Sequence, residues 1–222
     1  SYLLTIAMTL VGTFLGLSII AMTGYALQRK DFPFRNVISF YVYFTSLFSA
    51  GLAPYYLLMT NTYHLMDSYF AVLLPLLMSP WLIILMKNFV KAIPHEITES
   101  GKIDGAGDMK IFTALILPML KPALATIGLF LALGYWNEWY QSSLFLSSRV
   151  AVKPLQYTLY EIVNKTDALR NSVAGQFITL ADIPTESVKM ANAVLATGPI
   201  IFLYPFVQRY FISGITVGAV KG

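Results

Sequence analysis

The sequence predicts an all-α fold that crosses a membrane several times, and three observations favour this class. Hydrophobic residues make up 57% of the chain and charged residues only 12%, against roughly 45–50% and 25% in soluble domains. The mean hydropathy is +0.65. The apolar residues form long blocks without the alternation of a β-strand, and about 20 such residues cross a bilayer as one helix. We therefore expect a polytopic membrane helix bundle with five transmembrane helices.

The length of the chain is sufficient for one domain. Five helices and their loops account for all 222 residues, so we expect a single transmembrane domain over residues 1–222. The chain contains no cysteine, which excludes disulfides, thiol catalysis and cysteine-based metal sites. Its net charge of +4 is explained by basic residues in loops, and we expect no nucleic-acid partner.

The predicted crossings are residues 2–27, 37–59, 69–90, 123–146 and 191–211. In the first of them Gly12 and Gly16 form a small-residue face on which another helix can pack closely. Pro54, Pro75 and Pro80 lie inside the second and third blocks. Because proline removes a backbone donor, we expect these helices to be kinked there.

Basic residues set the predicted orientation. Lysine and arginine are concentrated before the second crossing, in the central loop and in the tail, whereas the 60–68 loop has none. The positive-inside rule places those three connections, and the C-terminus, in the cytoplasm. The loop at about 147–187 conflicts with this rule, because it carries Arg149, Lys153, Lys165 and Arg170. The even spacing of the crossings nevertheless puts this loop outside.

The central loop, at about residues 92–121, is the most charged stretch between two apolar blocks. Pro94 suits the first turn of a helix, and Glu96 and Glu99 place negative charge at the positive N-terminal end of that helix. Three glycines are expected to break it, Gly101, Gly105 and Gly107. Asp108 can then cap a second helix.

The second helix of the central loop has one apolar side, and Pro118 is expected to mark its end. This apolar side is a stripe of four residues, Ile111, Phe112, Leu115 and Ile116. The sequence therefore predicts a helix-turn-helix. These patterns alone leave two interpretations open, an amphipathic connector in the membrane interface or an element that docks another protein.

Catalytic motifs are missing from the sequence. The run from His95 to Glu99 lacks the second histidine of HExxH, and no GxSxG is present. Gly101-Lys102 is not a phosphate-binding loop, because Glu96 and Ile103 replace the required glycine and hydroxyl residue. We expect no catalytic residue, no metal and no bound cofactor in this chain.

A resemblance to a known family is carried by the central loop. The run Glu99-Ser-Gly-Lys-Ile-Asp-Gly-Ala106, followed by Phe112, Ile116 and Leu117-Pro118, resembles the EAA loop of ABC-importer permease subunits, usually written EAAxxDGAxxxxxFxxIxLP. Ser100 and Gly101 stand where the family has two alanines. The runs Tyr204–Gly214 and Trp136–Trp139 resemble the carbohydrate-uptake branch, which is maltose-permease-like with a MetI-like transmembrane fold.

This resemblance implies one permease subunit of an ATP-driven importer of carbohydrates, with oligosaccharides as the expected substrates, in the bacterial cytoplasmic (inner) membrane. The implied partners are a second homologous permease subunit, two cytoplasmic ATPase subunits that hold ATP and magnesium, an extracytoplasmic solute-binding protein, the sugar and membrane lipid. The implied ATPase-coupling residues are Glu99, Ser100, Gly101, Asp104, Gly105, Ala106, Phe112 and Pro118. Because the chain starts at Ser1 with an odd number of crossings, we expect a sixth helix upstream in the intact subunit.

Glu138 is the only acidic residue inside a predicted crossing, which makes it a functional candidate. It lies 17 residues beyond Lys121, roughly 25 Å along a helix, and so towards the outer interface. The nearby rings of Tyr135, Trp136, Trp139 and Tyr140 fit an aromatic belt. The other interpretation is a substrate path in which rings stack on sugars, formed by Trp136, Asn137, Glu138 and Trp139. An alternative function is a secondary transporter or channel that uses Glu138 as an ion or proton site.

The outer loop offers contacts to a partner, because long ordered connections are commonly functional. The family resemblance implies that this partner is the solute-binding protein. The candidate contacts are Tyr157, Tyr160, Gln176 and Phe177, with Thr179 beside them. For each residue the other interpretation is a solvated loop that happens to carry aromatic side chains.

Overall fold

The computed structural model describes residues 1–171, 187, 189–198 and 201, and these residues form helices, turns and irregular connections only. The helices are α1 (Tyr2–Gln28), α2 (Arg35–Leu47), α3 (Leu52–Leu57), α4 (Tyr69–Leu77), α5 (Pro80–Lys91), α6 (Glu96–Ile103), α7 (Asp108–Lys110), α8 (Leu117–Met119), α9 (Lys121–Trp136), α10 (Tyr140–Phe145) and α11 (Leu155–Asn171). A π-helical turn at Leu58–Thr62 extends α3, and another at Ile111–Ile116 joins α7 to α8. Residues 189–198 are also helical.

Two stretches are long and apolar enough to cross a membrane without a sharp bend. The first is α1, Tyr2–Gln28, with a mean hydropathy of 2.2, and the second is α4 together with α5, Tyr69–Lys91, with a mean hydropathy of 2.1. Two further segments qualify only as bent pairs: Arg35–Leu47 with Leu52–Thr62, bent by 117°, and Asp108–Met119 with Lys121–Phe145, bent by 83°. The described residues therefore supply two to four candidate crossings. The predicted number of five is not confirmed, because most of the predicted fifth crossing lies outside the described residues.

α1 is the helix around which the others pack, since it contacts α4, α5 and α9. A side chain at Gly12 would overlap the ring of Tyr135, and one at Gly16 would press on Leu131 of α9. The predicted close packing at these two glycines is therefore confirmed. The opposite side of α1 exposes large apolar residues such as Phe14, as expected for a helix that faces lipid.

The second predicted crossing bends before its proline. The bend lies between α2 and α3, where Gly51 has a φ of 88°, a conformation that glycine adopts without strain. Pro54 falls in the first turn of α3, where its missing N–H has no intrahelical partner to lose. Pro80 begins α5 after a break at Met78 and Ser79, whereas Pro75 lies inside α4.

The fourth predicted crossing is also broken, between α9 and α10, and Glu138 lies in the break. One oxygen of its carboxylate accepts hydrogen bonds from the backbone N–H groups of Gln141 and Ser142, at 2.5 and 3.3 Å. Its other oxygen accepts one from the Ser142 hydroxyl at 2.6 Å. A carboxylate is favourable at a helix N-terminus because it satisfies free N–H groups. The expectation of one continuous helix over 123–146 is therefore wrong, since α9 ends at Trp136 and α10 begins at Tyr140, with its first N–H groups bound to Glu138.

We expect Gly12→Ala to destabilise the protein by about 1–3 kcal/mol, because the added methyl group must displace Tyr135. That ring cannot move freely, as its hydroxyl donates to the Leu73 carbonyl oxygen at 2.9 Å. Gly134→Ala on α9 is the matched control, since its Cβ would meet no atom within 4 Å. Thermal unfolding of both variants in detergent measures the difference, and equal unfolding temperatures would contradict this packing.

We expect Glu138→Ala to lower the free energy of unfolding by about 1–3 kcal/mol, because the Ser142 hydroxyl and the N–H groups of α10 lose their acceptors. Glu138→Gln is the matched control. It keeps an amide oxygen for the N–H groups and a donor towards the Ser142 oxygen, so its loss should be smaller. The same unfolding measurement compares them, and equal losses for both variants would exclude the capping role.

Candidate functional site

The central loop folds as α6, a sharp turn and a second helical segment. The Gly105 N–H donates to the Lys102 carbonyl oxygen at 3.0 Å, and the Ala106 N–H donates to that of Gly101 at 2.9 Å. Gly105 has a φ of 74°. These two bonds around a left-handed glycine define a Schellman motif, which ends a helix and reverses the chain. Asp104 and Gly105 therefore form the turn that the sequence predicts.

Two details of the predicted helix-turn-helix are wrong. Gly101 does not break α6 but lies buried inside it, where a Cβ would stand 3.0 Å from a methyl carbon of Leu115. Asp108 is the first residue of α7 rather than its cap, and Gly107 holds the cap position. The helical segment Asp108–Met119 ends one residue beyond Pro118 and is followed by an 83° bend, so the predicted end of the second helix is confirmed to within one residue.

One side of the central loop is packed against the bundle. Ile111, Phe112 and Ile116 are buried, and the ring of Phe112 lies 5.2 Å from that of Tyr25 on α1. These residues belong to the largest buried cluster, which α1, α5 and α9 also form. Leu115, the fourth member of the predicted stripe, is 37% exposed. The stripe thus anchors the loop.

Ion pairs fix the same side of the loop to the end of α1. The Arg29 guanidinium pairs with Asp31 and, at 2.8 Å, with Asp108. The Lys102 ammonium group lies 2.6 Å from Asp31. Arg29 first, and Lys102 second, hold the pKa of Asp31 well below its usual range. These ion pairs join the end of α1 to α6 through Lys102 and to α7 through Asp108.

The other side of the loop is exposed. The Glu99 side chain is 62% exposed. Two large apolar residues flank the turn in the same exposed state, Ile103 at 86% and Met109 at 64%. Sequence reasoning missed both, although an isolated apolar residue beside a polar turn was a visible signal. Exposed apolar groups beside charged ones are typical of a surface that meets another protein.

The four residues of the predicted substrate path do not share one surface. Trp136 is buried, and its indole N–H donates to the Ala196 carbonyl oxygen at 3.0 Å. Glu138 is buried as the cap of α10, and Asn137 accepts a hydrogen bond from the Gln156 amide. Trp139 is 40% exposed. Because Tyr135 is also buried, the predicted aromatic belt reduces to Trp139 and Tyr140.

The predicted contacts of the outer loop differ from one another. Tyr157 is buried, with the Lys153 ammonium group 4.8 Å from its ring centroid, so it has a packing role. Tyr160 is 41% exposed and stacks on Trp139 with the ring centroids 4.6 Å apart. Gln176 and Phe177, with Thr179, lie outside the described residues. Trp139 and Tyr160 thus form the exposed aromatic pair at this end.

No group of histidine, aspartate and glutamate residues in the described part of the chain is arranged to hold a metal ion. The two features described above, an anchored loop with an exposed turn and a pair of exposed rings, suit contacts with other molecules.

Comparison with known proteins gives consistent results. The profile of a family described as "Binding-protein-dependent transport system inner membrane component" matches residues 8–217. The polygalacturonan/rhamnogalacturonan transport system permease protein YtcP of Bacillus subtilis (strain 168) is 36% identical over 222 residues, which cover 100% of this chain and 77% of YtcP. The arabinooligosaccharides transport system permease protein AraQ of the same organism is 28% identical over 220 residues, 98% of this chain and 72% of AraQ.

A solved structure is similar throughout the fold. It is the crystal structure of a bacterial ABC transporter involved in the import of the acidic polysaccharide alginate. One of its chains matches with a TM-score of 0.80 and 32% identity, over 95% of this chain and 74% of that chain. The chain described here belongs to the family of binding-protein-dependent transport system inner membrane components.

Proposed function

We propose that this chain is one of two permease subunits of an ATP-driven carbohydrate importer that works by alternating access. The observation that carries the proposal is the central loop, which is anchored to α1 on one side and presents an exposed turn on the other. The sugar assignment is supported by the similarity to YtcP, of a polygalacturonan/rhamnogalacturonan transport system, and to AraQ, of an arabinooligosaccharides transport system. Oligosaccharides are therefore the proposed substrates.

The proposed assembly contains a second, homologous permease subunit in the membrane and two ATPase subunits in the cytoplasm. ATP and magnesium bind to the ATPase subunits, and an extracytoplasmic solute-binding protein delivers the sugar. The present chain contributes one transmembrane domain over residues 1–222. The exposed apolar side chains of α2, none of which is buried in this chain alone, are suited to contact lipid or the second permease subunit.

The coupling step is assigned to the exposed side of the central loop. Glu99 and Ile103 contact the ATPase subunit, and the turn at Asp104 and Gly105 fixes the direction in which α6 presents them. The other proposed coupling residues, Ser100, Gly101, Ala106, Phe112 and Pro118, shape this element and hold it against the bundle. Closure of the ATPase pair then moves the loop as one body.

The loop can transmit this movement because of its second set of contacts. Arg29 joins the end of α1 to Asp108, and Asp31 joins it to Lys102. α1 packs along both α5 and α9. A displacement of the loop therefore acts on three membrane helices together, which is the requirement for opening one side of a transport path while closing the other.

The outer end of the subunit is proposed to contact the sugar and the solute-binding protein that delivers it. Trp139 and Tyr160 are the residues proposed to make contact, because their rings are exposed while Trp136 and Tyr157 are buried. Aromatic rings offer a flat apolar surface with limited conformational freedom, which suits contact with sugars and with a protein partner. In this orientation the loop at about 147–187 is extracytoplasmic, and the central loop and C-terminus are cytoplasmic.

We expect Gly105→Ala to reduce oligosaccharide uptake and to weaken retention of the ATPase subunits, because a Cβ at its left-handed φ costs about 1–2 kcal/mol and shifts the turn. Gly107→Ala is the matched control, since its φ is −71° and its Cβ would meet no atom within 4 Å. Uptake into cells and the amount of ATPase co-purified with each variant are the measurements. If both variants showed the uptake and ATPase retention of the unaltered protein, the assignment of coupling to this turn would be wrong.

We expect a cysteine at Ser148 to react with a membrane-impermeant thiol reagent in intact cells, and a cysteine at Ser100 to react only after the membrane is opened. Both positions are exposed and the chain has no cysteine of its own, so the labelling pattern reports orientation alone. The reverse pattern would place the central loop on the wrong side for an ATPase and overturn the proposed topology.

A further inference from the structure

A cavity of about 710 Å³ lies where the ends of α1 and α5 and the start of α2 meet α6. Its charged lining is mainly positive. Two acidic side chains, Asp31 and Glu96, face six basic ones: Arg29, Lys30, Arg35, Lys87, Lys91 and Lys102. This cavity is separate from the exposed turn and from the outer aromatic pair.

The positive charges of the cavity are only partly neutralised. Arg29 and Lys102 are paired with acidic residues, as described above. Lys30, Arg35, Lys87 and Lys91 have no ion-pair partner among residues 1–171, 187, 189–198 and 201. The net charge of this partly enclosed space is therefore positive, which attracts an anion.

Three of these groups, Arg35, Lys87 and Lys91, lie close together. Lys87 and Lys91 are four residues apart on α5, and so on one side of that helix. The Lys87 ammonium group donates to the Ser39 hydroxyl at 2.9 Å, and Ser39 lies one turn beyond Arg35 on α2. Both Arg35 and Lys91 act electrostatically on Lys87. Because like charges repel, this arrangement is unfavourable until an anion bridges it.

Tyr25 provides a further, independent observation. Its side chain lines the same cavity and is only 8% exposed. Its hydroxyl group has no hydrogen-bond partner in the described part of the protein. A buried hydroxyl without a partner is costly, and an anionic oxygen in the cavity is an acceptor of the kind it lacks.

The surface that continues from the basic end of the cavity is apolar. α2 begins at Arg35 and has no buried residue. Along it, Val37, Phe40, Tyr41 and Phe44 are all more than 40% exposed. The helix belongs to a candidate membrane crossing. A basic cavity beside an apolar helix surface fits a ligand that has an anionic head and an apolar body.

We propose that this cavity binds the phosphate headgroup of an anionic phospholipid, with the acyl chains lying along α2. Arg35, Lys87 and Lys91 contact the phosphate oxygens, which accept charge-assisted hydrogen bonds from them. The lipid is favoured over free phosphate because only the lipid also covers the apolar side of α2. The site is a lipid-binding site in addition to the transport function and does not depend on which sugar is carried.

Binding of phosphatidylglycerol to the purified intact transporter in detergent tests the proposal, with phosphatidylcholine and inorganic phosphate as the comparison ligands. The double variant Arg35→Gln, Lys91→Gln should bind phosphatidylglycerol about 30-fold more weakly, since it removes two basic groups that each contribute on the order of 1 kcal/mol near a lipid surface. Lys121→Gln is the matched control. It removes one exposed basic group that does not line the cavity, and its affinity should be unchanged.

Lys91→Cys gives a second measurement that does not depend on the double variant being folded. Phosphatidylglycerol should protect this cysteine from a thiol reagent in the assembled transporter, and phosphatidylcholine should not. Equal affinity of the double variant and the intact protein would overturn the proposal. Displacement of the lipid by millimolar inorganic phosphate would identify free phosphate as the ligand instead. A cysteine that stays blocked without any lipid would identify a protein subunit as the occupant.

Discussion

The close approach of α1 to α9 is the constraint on which the rest of the structure depends. It requires the absence of a side chain at Gly12, because the ring of Tyr135 occupies that space. α1 also contacts α4 and α5, so a shift of α1 would change three interfaces at once. At its end, Arg29 holds the central loop through Asp108. One helix thus carries both the packing of the bundle and the attachment of the element assigned to energy coupling.

Sequence patterns predicted those features that depend on neighbouring residues or on composition. The helical class, the glycine face of α1 and the turn at Gly105 are of this kind, because apolar runs, small residues and a helix-ending glycine have local causes. The break at Glu138 was missed, since one carboxylate within an apolar block gives no indication that it caps the helix that follows. The role of Asp108 was missed for another reason. Its partner, Arg29, is far away in the sequence, and an acidic residue at a helix start also fits a cap.

Residue type was least informative at the outer end of the molecule. Trp136 and Trp139 are three residues apart, yet the first is buried against the helix at 189–198 and the second exposes its ring. Tyr157 and Tyr160 differ in the same way. The break after α9 is the cause of the first difference, because it changes the direction in which successive side chains point. A pattern that assumes one continuous helix assigns all these rings to a single surface, whereas the structure separates them into packing residues and accessible ones.

Gly101 has a consequence for exchange between related proteins. It stands where the family pattern has alanine, and α6 rests so close to Ile111 and Leu115 that a methyl group at this position would be in tight contact with both. A loop transplanted from a relative with alanine there would sit farther from the bundle unless these two side chains repacked. The distance between α6 and the bundle therefore depends on the residue at position 101 and differs between members of the family that carry glycine or alanine there. Exchanging α6 alone, without Ile111 and Leu115, would therefore change how far the exposed turn projects from the bundle.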